Sequence, residues 1–330
     1  MSNFIYILQQ TLFFMVPLLI VALGALYSER SGIVNIALEG IMIMGAFVGT
    51  VTLNLLQYSA PFANLDSLAQ GQFFYFIALL VAGITGILFS LLHAFASVHM
   101  RADQTISGTA LNILAPAIAI YTARSLSITN YTQHVQFEST QLFISKVPLL
   151  HKIPLIGDIF FRRTYITTYI AIIIFIVAYI VLYRTRFGLR LRACGEHPQA
   201  ADSAGIKVER IRYAGVLISG FLAGIGGLTL IVSTTSVFNG SVAGYGFLAI
   251  AVLIFGQWKP LRILVAAFFF GMMNAVAHSH SLVPGLNRLP LPSDFYNAIP
   301  YVATLILLAF TSKKSQAPRA VGEIYDPGKR

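Results

Sequence analysis

Across the first hundred residues of this 330-residue chain only four side chains carry a full charge: Glu29, Arg30, Glu39 and Asp66. A soluble fold needs a charged, hydrated surface, and four charges over that length cannot supply one. Over the whole chain 57% of residues are hydrophobic and 10% are charged, against roughly 25% charged in ordinary globular chains. The chain therefore reads as an integral membrane protein, with membrane lipid as one of its solvents.

In lipid every backbone N–H and C=O must pair within the protein, which leaves helices or a closed barrel. Barrel strands alternate apolar and polar residues, whereas the apolar runs here are continuous. A crossing helix needs about 20 residues. Runs between charged or turn-rich breaks give nine candidates, at 6–27, 33–56, 73–99, 105–123, 164–183, 211–232, 246–258, 262–279 and 296–312. The run at 246–258 reaches only about 20 Å as a helix and is expected to be a half-helix or a tilted helix buried among the others. The predicted fold class is an all-α polytopic membrane protein of about nine transmembrane helices. One membrane domain covers 1–312, and a polar tail, 313–330, with Pro318 and Pro327, is expected to lack packed structure.

Two polar breaks are long, 124–163 and 184–210. Placing 184–210 and the tail in the cytoplasm puts the N-terminus and 124–163 outside. All but six of the 22 Lys and Arg residues then lie inside, the six being Arg124, Lys146, Lys152, Arg162, Arg163 and Arg288. That bias supports this orientation in the cytoplasmic (inner) membrane, with a cytoplasmic C-terminus. It also explains the net charge of +10 without a nucleic-acid partner, because the basic residues sit in short breaks rather than in one patch. No Lys or Arg precedes Arg30, so the basic start of a cleaved signal peptide is not expected. The single cysteine, Cys194, excludes an intrachain disulfide and a cysteine metal cluster. In the inner loop it offers a natural reporter of sidedness.

The first span runs into SGIVNIALEG (Ser31 to Gly40) and the sixth into NGSVAGYG (Asn239 to Gly246), each followed by another apolar run. In the orientation above they lie at opposite faces, the pattern of an inverted repeat with broken helices. Gly45 with Gly49, and Gly220 with Gly224, form GxxxG pairs that read as close helix packing.

Catalytic signals are absent. There is no G-x-x-x-x-G-K-[ST] and no H-E-x-x-H, and His278 and His280 point about 200° apart on a helix. No cofactor is expected, and the chain does not read as an enzyme. Polar residues in or beside the spans are Asn35, Glu39, Gln104, Ser107, Asn112 and Asn274. Such groups are costly in lipid and face the bundle or a water path, so they are candidates for the translocation path. Glu39 has two readings: it lines that path, or it makes a structural hydrogen bond that ties segment 31–40. Gln104 and Asn112 lie about 80° apart and could share a broad face. An ion-gradient-driven secondary transporter is the competing class, but it would usually need more intramembrane acids than Glu39.

The inner loop carries Gln199-Ala200-Ala201 and then Gly205. This spacing predicts a short helix of small residues that ends on a C-cap glycine. Arg190, Arg192, Lys207 and Arg210 flank it. Such a helix suits docking into a groove on a partner, or serves as an ordinary linker.

The spacing Gln-Ala-Ala-x-x-x-Gly resembles the EAA loop of ATP-binding-cassette importer permeases, with Gln199 in place of Glu. GLRLRACGEHPQAADSAGI (Gly188 to Ile206) is similar to the form of that loop in the branched-chain amino acid, ribose and nucleoside permease superfamily. Four segments resemble the nucleoside type: Ser28 to Phe47, Ala102 to Ala115, the loop with Arg212 to Gly227, and Gly244 to Leu261. The resemblance implies an all-helical permease subunit of an importer, with about ten spans in full-length relatives and one N-terminal span fewer here. It implies that Gly195, Glu196, Gln199, Ala200, Ala201, Ala204 and Gly205 form a coupling helix seated on a separate ATPase subunit. It also implies a second permease subunit, often a paralogue, and an extracytoplasmic solute-binding lipoprotein. A nucleoside is the implied substrate; simple-sugar, flavin and branched-chain amino acid permeases share the pattern.

Overall fold

The structure, a computed structural model, describes residues 2–58, 68–126, 132–147, 150, 153, 156–282, 295–296, 298–311 and 316–326. Each of the nine predicted runs is helical. The helices are α1 (Ser2–Arg30), α2 (Leu38–Tyr58), α3 (Leu68–Ala94, continued by a π-turn over Phe95–His99) and α4 (Gln104–Ser125). Then come α5 (Ile156–Phe160), α6 (Ile166–Arg184), α7 (Arg186–Glu196), α8 (Pro198–Ser203) and α9 (Val208–Thr234). The chain closes with α10 (Tyr245–Phe255), α11 (Pro260–His278) and α12 (Ile299–Thr311). Among the described residues seven helices are long and apolar enough to cross a membrane. The short predicted run at 246–258 is α10, with 11 residues. Lys152, Arg288, Pro327, Lys313, Lys314, Lys329 and Arg330, and much of the Pro-rich stretch 147–158, lie outside the described residues.

α1 and α9 form the centre, packed on each other, with α11 and α10 against α1 and with α2 and α3 against α9. Both central helices are apolar on nearly every side, as burial on every side requires. Small residues let the backbones meet: Gly45 rests on the backbone of Gly224, and Gly86 on that of Gly220 and Gly224. The two GxxxG pairs thus pack helices, as read from the sequence. α4 and α6 sit at the rim. α6 leaves Ile172, Ile173, Ile176 and Ile180 exposed, and α4 leaves Ile106, Ile113 and Tyr121 exposed. Apolar rows of this length are covered by lipid or by another subunit. The Asp103 carboxylate starts α4 as its N-cap, accepting from the Thr105 and Ile106 N–H groups at 2.8 and 2.9 Å.

At one face, the long polar segment before α6 is strapped down by short antiparallel pairs. β1 (Val135–Gln136) pairs with β4 (Val237–Phe238), and β2 (Phe143–Lys146) with β3 (Arg162–Tyr165). The Gln57 side chain exchanges two 2.9 Å hydrogen bonds with the Glu138 backbone.

At the opposite face lie α7, α8 and the tail. The expectation of an unpacked tail is corrected here. Residues 316–326 fold back onto this face and bury Ala320 and Tyr325, with Ala320 N–H donating to Gly195 C=O at 2.9 Å. Pro318, Ala320 and Tyr325 are the buried side chains of the segment, and together with its backbone hydrogen bonds they dock it.

The chain leaves helical geometry after each central helix, over 31–37 after α1 and over 235–244 after α9.

Candidate functional site

The first break is buried, so each of its backbone groups needs a protein partner. Gln104 Oε1 accepts from the Val34 N–H at 2.7 Å, and His93 Nε2 lies 2.9 Å from the Val34 carbonyl. A carbonyl only accepts, so Nε2 carries the proton and Nδ1 accepts from the Ser107 hydroxyl at 3.1 Å. Asn112 spans the far end, accepting from Gly40 N–H at 2.8 Å and donating to Ile36 C=O at 2.9 Å. Asn35 donates to the Ser219 hydroxyl at 2.9 Å. Thus Asn35, Gln104, Ser107 and Asn112, read from the sequence as path candidates, are brought together around the backbone of the break. Gln104 and Asn112 do share a face, and the break is what they hold. His93 and Ser219 belong to the same network and were not singled out in the sequence; the only signal was a polar residue in an apolar run.

Glu39 joins the two breaks. Its carboxylate accepts from Gly244 N–H at 2.9 Å and from Gly246 N–H at 2.7 Å, at the first turn of α10. The free N–H groups and dipole of a helix N-terminus favour an acceptor carrying negative charge there. The Glu39 carboxylate thus makes a tie across to the second break rather than within 31–40.

The second break lines a cavity of about 750 Å³. Phe13, Tyr165, Tyr245 and Tyr301 bring aromatic faces to it, and Asn239 and Asn274 bring amides. Of the sequence candidates for the path, only Asn274 lies here. Phe13 and Tyr165 meet edge to face at 5.3 Å, and the Tyr301 hydroxyl donates to Ala243 C=O at 2.9 Å. The Tyr245 hydroxyl is buried without a hydrogen-bond partner among the described residues, which leaves a donor for a water or a polar solute. With aromatics making up 12% of the chain, nothing local in the sequence marked these rings.

The far end of α10 is anchored at the α8 face. Trp258 Nε1 donates to Glu29 Oε2 at 2.5 Å, and the Arg30 guanidinium donates to Trp258 C=O at 2.9 Å. Arg30 also pairs with Glu196 at 3.5 Å, so one side chain touches both the α10–α11 turn and the end of α7.

α8 ends as predicted. Gly205 has φ +80°, its N–H donates to Asp202 C=O at 2.8 Å, and Ile206 N–H donates to Ala201 C=O at 3.1 Å. These two bonds make a Schellman cap. Gln199, Ala200, Ala204 and Gly205 are exposed, whereas Gly195 and Ala201 are buried. Gly195 abuts the Arg30 carbonyl, so a Cβ there would collide with backbone. Gly195 and Ala201 therefore seat α7 and α8 on the body rather than present a surface, and Glu196 is engaged by Arg30. Cys194 is fully buried, and burial pushes its thiol up to about 11. It is a poor reporter of sidedness, contrary to expectation.

Residues 7–308 match the family described as branched-chain amino acid transport system / permease component. Along 97% of its length the chain is 40% identical to the nucleoside ABC transporter permease protein NupC of Lactococcus lactis, 96% of which is covered. It is 38% identical to the guanosine ABC transporter permease protein NupQ of Bacillus subtilis, over 98% of this chain and 97% of that one. It is 30% identical to the putative glucose ABC transporter permease protein TsgC13 of Haloferax volcanii, over 92% and 90%. No solved structure matches it. A polytopic helical body, a capped small-residue helix on one face and a family match over nearly the whole chain lead to one conclusion: the chain belongs to the permease components of the branched-chain amino acid transport family.

Proposed function

We propose that this permease imports nucleosides, driven by ATP hydrolysis on a separate subunit that seats on the exposed face of α8. The observation that carries the substrate reading is the cavity at the second break. Aromatic faces can stack on a base, and the amides and the unpartnered Tyr245 hydroxyl can read its polar edge or the ribose. The names of the two relatives near 40% identity point the same way. In this reading the α8 face and the tail are cytoplasmic, and the cavity opens outward to receive solute from a binding lipoprotein. The exposed apolar face of α4 then meets a second, paralogous permease.

Uptake of labelled guanosine into proteoliposomes holding the assembled transporter tests the energy source and the substrate. Uptake should require internal ATP and be competed by other nucleosides more strongly than by glucose or leucine. Uptake that persists without ATP under an imposed proton or sodium gradient would refute the reading. Gly205→Val tests the docking helix. It strains a left-handed residue by roughly 1–3 kcal/mol, while the apolar spans that direct insertion are untouched. Normal membrane abundance is expected, with loss of both ATPase co-purification and uptake. For sidedness, Gln199→Cys in a Cys194→Ala background should react with an impermeant maleimide only after cells are permeabilised.

A further inference from the structure

We propose that the C-terminal segment 316–326 is a working part of the docking module: it supplies part of the floor on which α8 rests and ties that floor to the first break. This rests on the reading of α8 as the ATPase seat.

α8 has six residues, too few to be stable without tertiary support. Its buried side chains are Pro198 and Ala201. Ala201 packs in a small cluster with Cys194, Val208 and Tyr325, so the tail contributes an aromatic ring beneath the helix. The same ring lies 5.7 Å from the Arg212 guanidinium. Arg212 is 1% exposed. Its Nη1 donates to Glu323 C=O at 3.0 Å, and its Nε and Nη2 have no hydrogen-bond partner among the described residues. A buried cation depends on the compensation that surrounds it. Here the tail provides a carbonyl, an aromatic face and the nearby charge of Glu323.

The tail also reaches in two directions at once. Ala320 N–H donates to Gly195 C=O at 2.9 Å, at the end of α7, and Gly322 N–H donates to Gly32 C=O at 3.1 Å, inside the first break. Asp326 pairs with Arg101 at 3.2 Å, at the turn before α4. A push on α8 therefore has a short route to residues 31–37, through the packing of Ala201 on Tyr325 and the tail's backbone hydrogen bonds, that bypasses the membrane helices. Tyr325 also walls a recess of about 240 Å³ with Asp202, Lys207 and Glu209, which places the tail at the rim of the surface the ATPase would meet.

The test uses full-length variants in the assembled transporter, with Cys194 as a gauge of tail position. In the wild type, Cys194 should resist a maleimide in permeabilised cells. Tyr325→Ala should leave membrane abundance unchanged, speed Cys194 labelling at least tenfold and cut ATPase co-purification and uptake at least tenfold. Tyr325→Phe keeps the ring and loses only the hydroxyl's hydrogen bond to Asp202, so it should restore Cys194 protection and recover most of the co-purification and uptake. Gly322→Val, at φ +81°, strains the tail backbone without touching Tyr325 and should reproduce the defect; it decides the matter if Tyr325→Ala does not accumulate. Fast Cys194 labelling together with full uptake and normal co-purification would overturn the proposal, as would continued protection of Cys194 in both variants. Ala204→Glu, on the exposed face of α8, separates the two readings. If it abolishes co-purification while the tail variants do not, the tail role falls alone. If it leaves co-purification intact, the docking reading falls and takes the tail role with it.

Discussion

The two breaks after α1 and α9 solve one problem in opposite ways. In both, the backbone leaves the helix within an apolar body and its N–H and C=O groups lose their ladder. The first is sealed: Ser31, Gly32, Ile33, Asn35 and Ala37 are buried, and amides, a hydroxyl and an imidazole from α3, α4 and α9 serve the freed groups and the side chain of Asn35. The second is open: Thr235, Ser236, Asn239, Ser241 and Ala243 are exposed, and the segment borders the cavity. A sealed break recruits polar side chains, whereas an open one can use water. Gln104 and Asn112 thus anchor the first break, whereas the second borders the cavity that Asn274 also lines.

The largest effect is expected where the two breaks touch. Glu39→Leu leaves the N–H groups of Gly244 and Gly246 without their acceptor, a loss of about 2–6 kcal/mol at roughly 1–3 kcal/mol per group. Monodisperse yield and thermal stability in detergent should fall sharply, and less so for Glu39→Gln, which keeps an acceptor. An unchanged unfolding midpoint in Glu39→Leu would mean that this junction holds nothing together. Asn112→Ala should come next. It uncaps Gly40 and Ile36 and costs about 1–3 kcal/mol, with the KM for nucleoside unaltered. A raised KM at full stability would make the first break part of the route and abolish the distinction drawn here. The smallest stability effect belongs to the open break. Asn239→Ala should change stability by no more than about 0.5 kcal/mol while raising KM severalfold; stability loss with normal KM would show that this break, too, is an anchor.

Much of the architecture was legible because it is local. Continuous apolar runs located every helix of the body, the short run at 246–258 announced α10, and the spacing from Gln199 to Gly205 announced a helix stopped by a left-handed glycine. What stayed hidden depends on partners distant in sequence. Gln104 meets Val34 across 70 residues and Glu39 meets Gly246 across 207, so composition could nominate these residues as functional but could not say what they held. Tyr325 is one ring in a polar tail, and only the pit formed by Cys194, Ala201 and Val208 reveals it as an anchor. Cys194 itself sits among arginines in the sequence yet lies on the inward side of α7.

α10 is pinned at both ends, to Glu39 at its start and, just beyond its end, to Glu29 and Arg30 through Trp258. With 11 residues it is a stiff rod about 16 Å long, and Arg30 at its base also grips Glu196 at the end of α7, beside α8. A rod pivoting at its base amplifies a small rotation into travel at the tip. A tilt of about 10° would carry the Gly244 end through about 3 Å. Hydrogen bonds that now measure 2.9 and 2.7 Å would not survive that stretch, so a slight rocking of α10 about its Trp258 end would release Glu39 from the segment that borders the cavity.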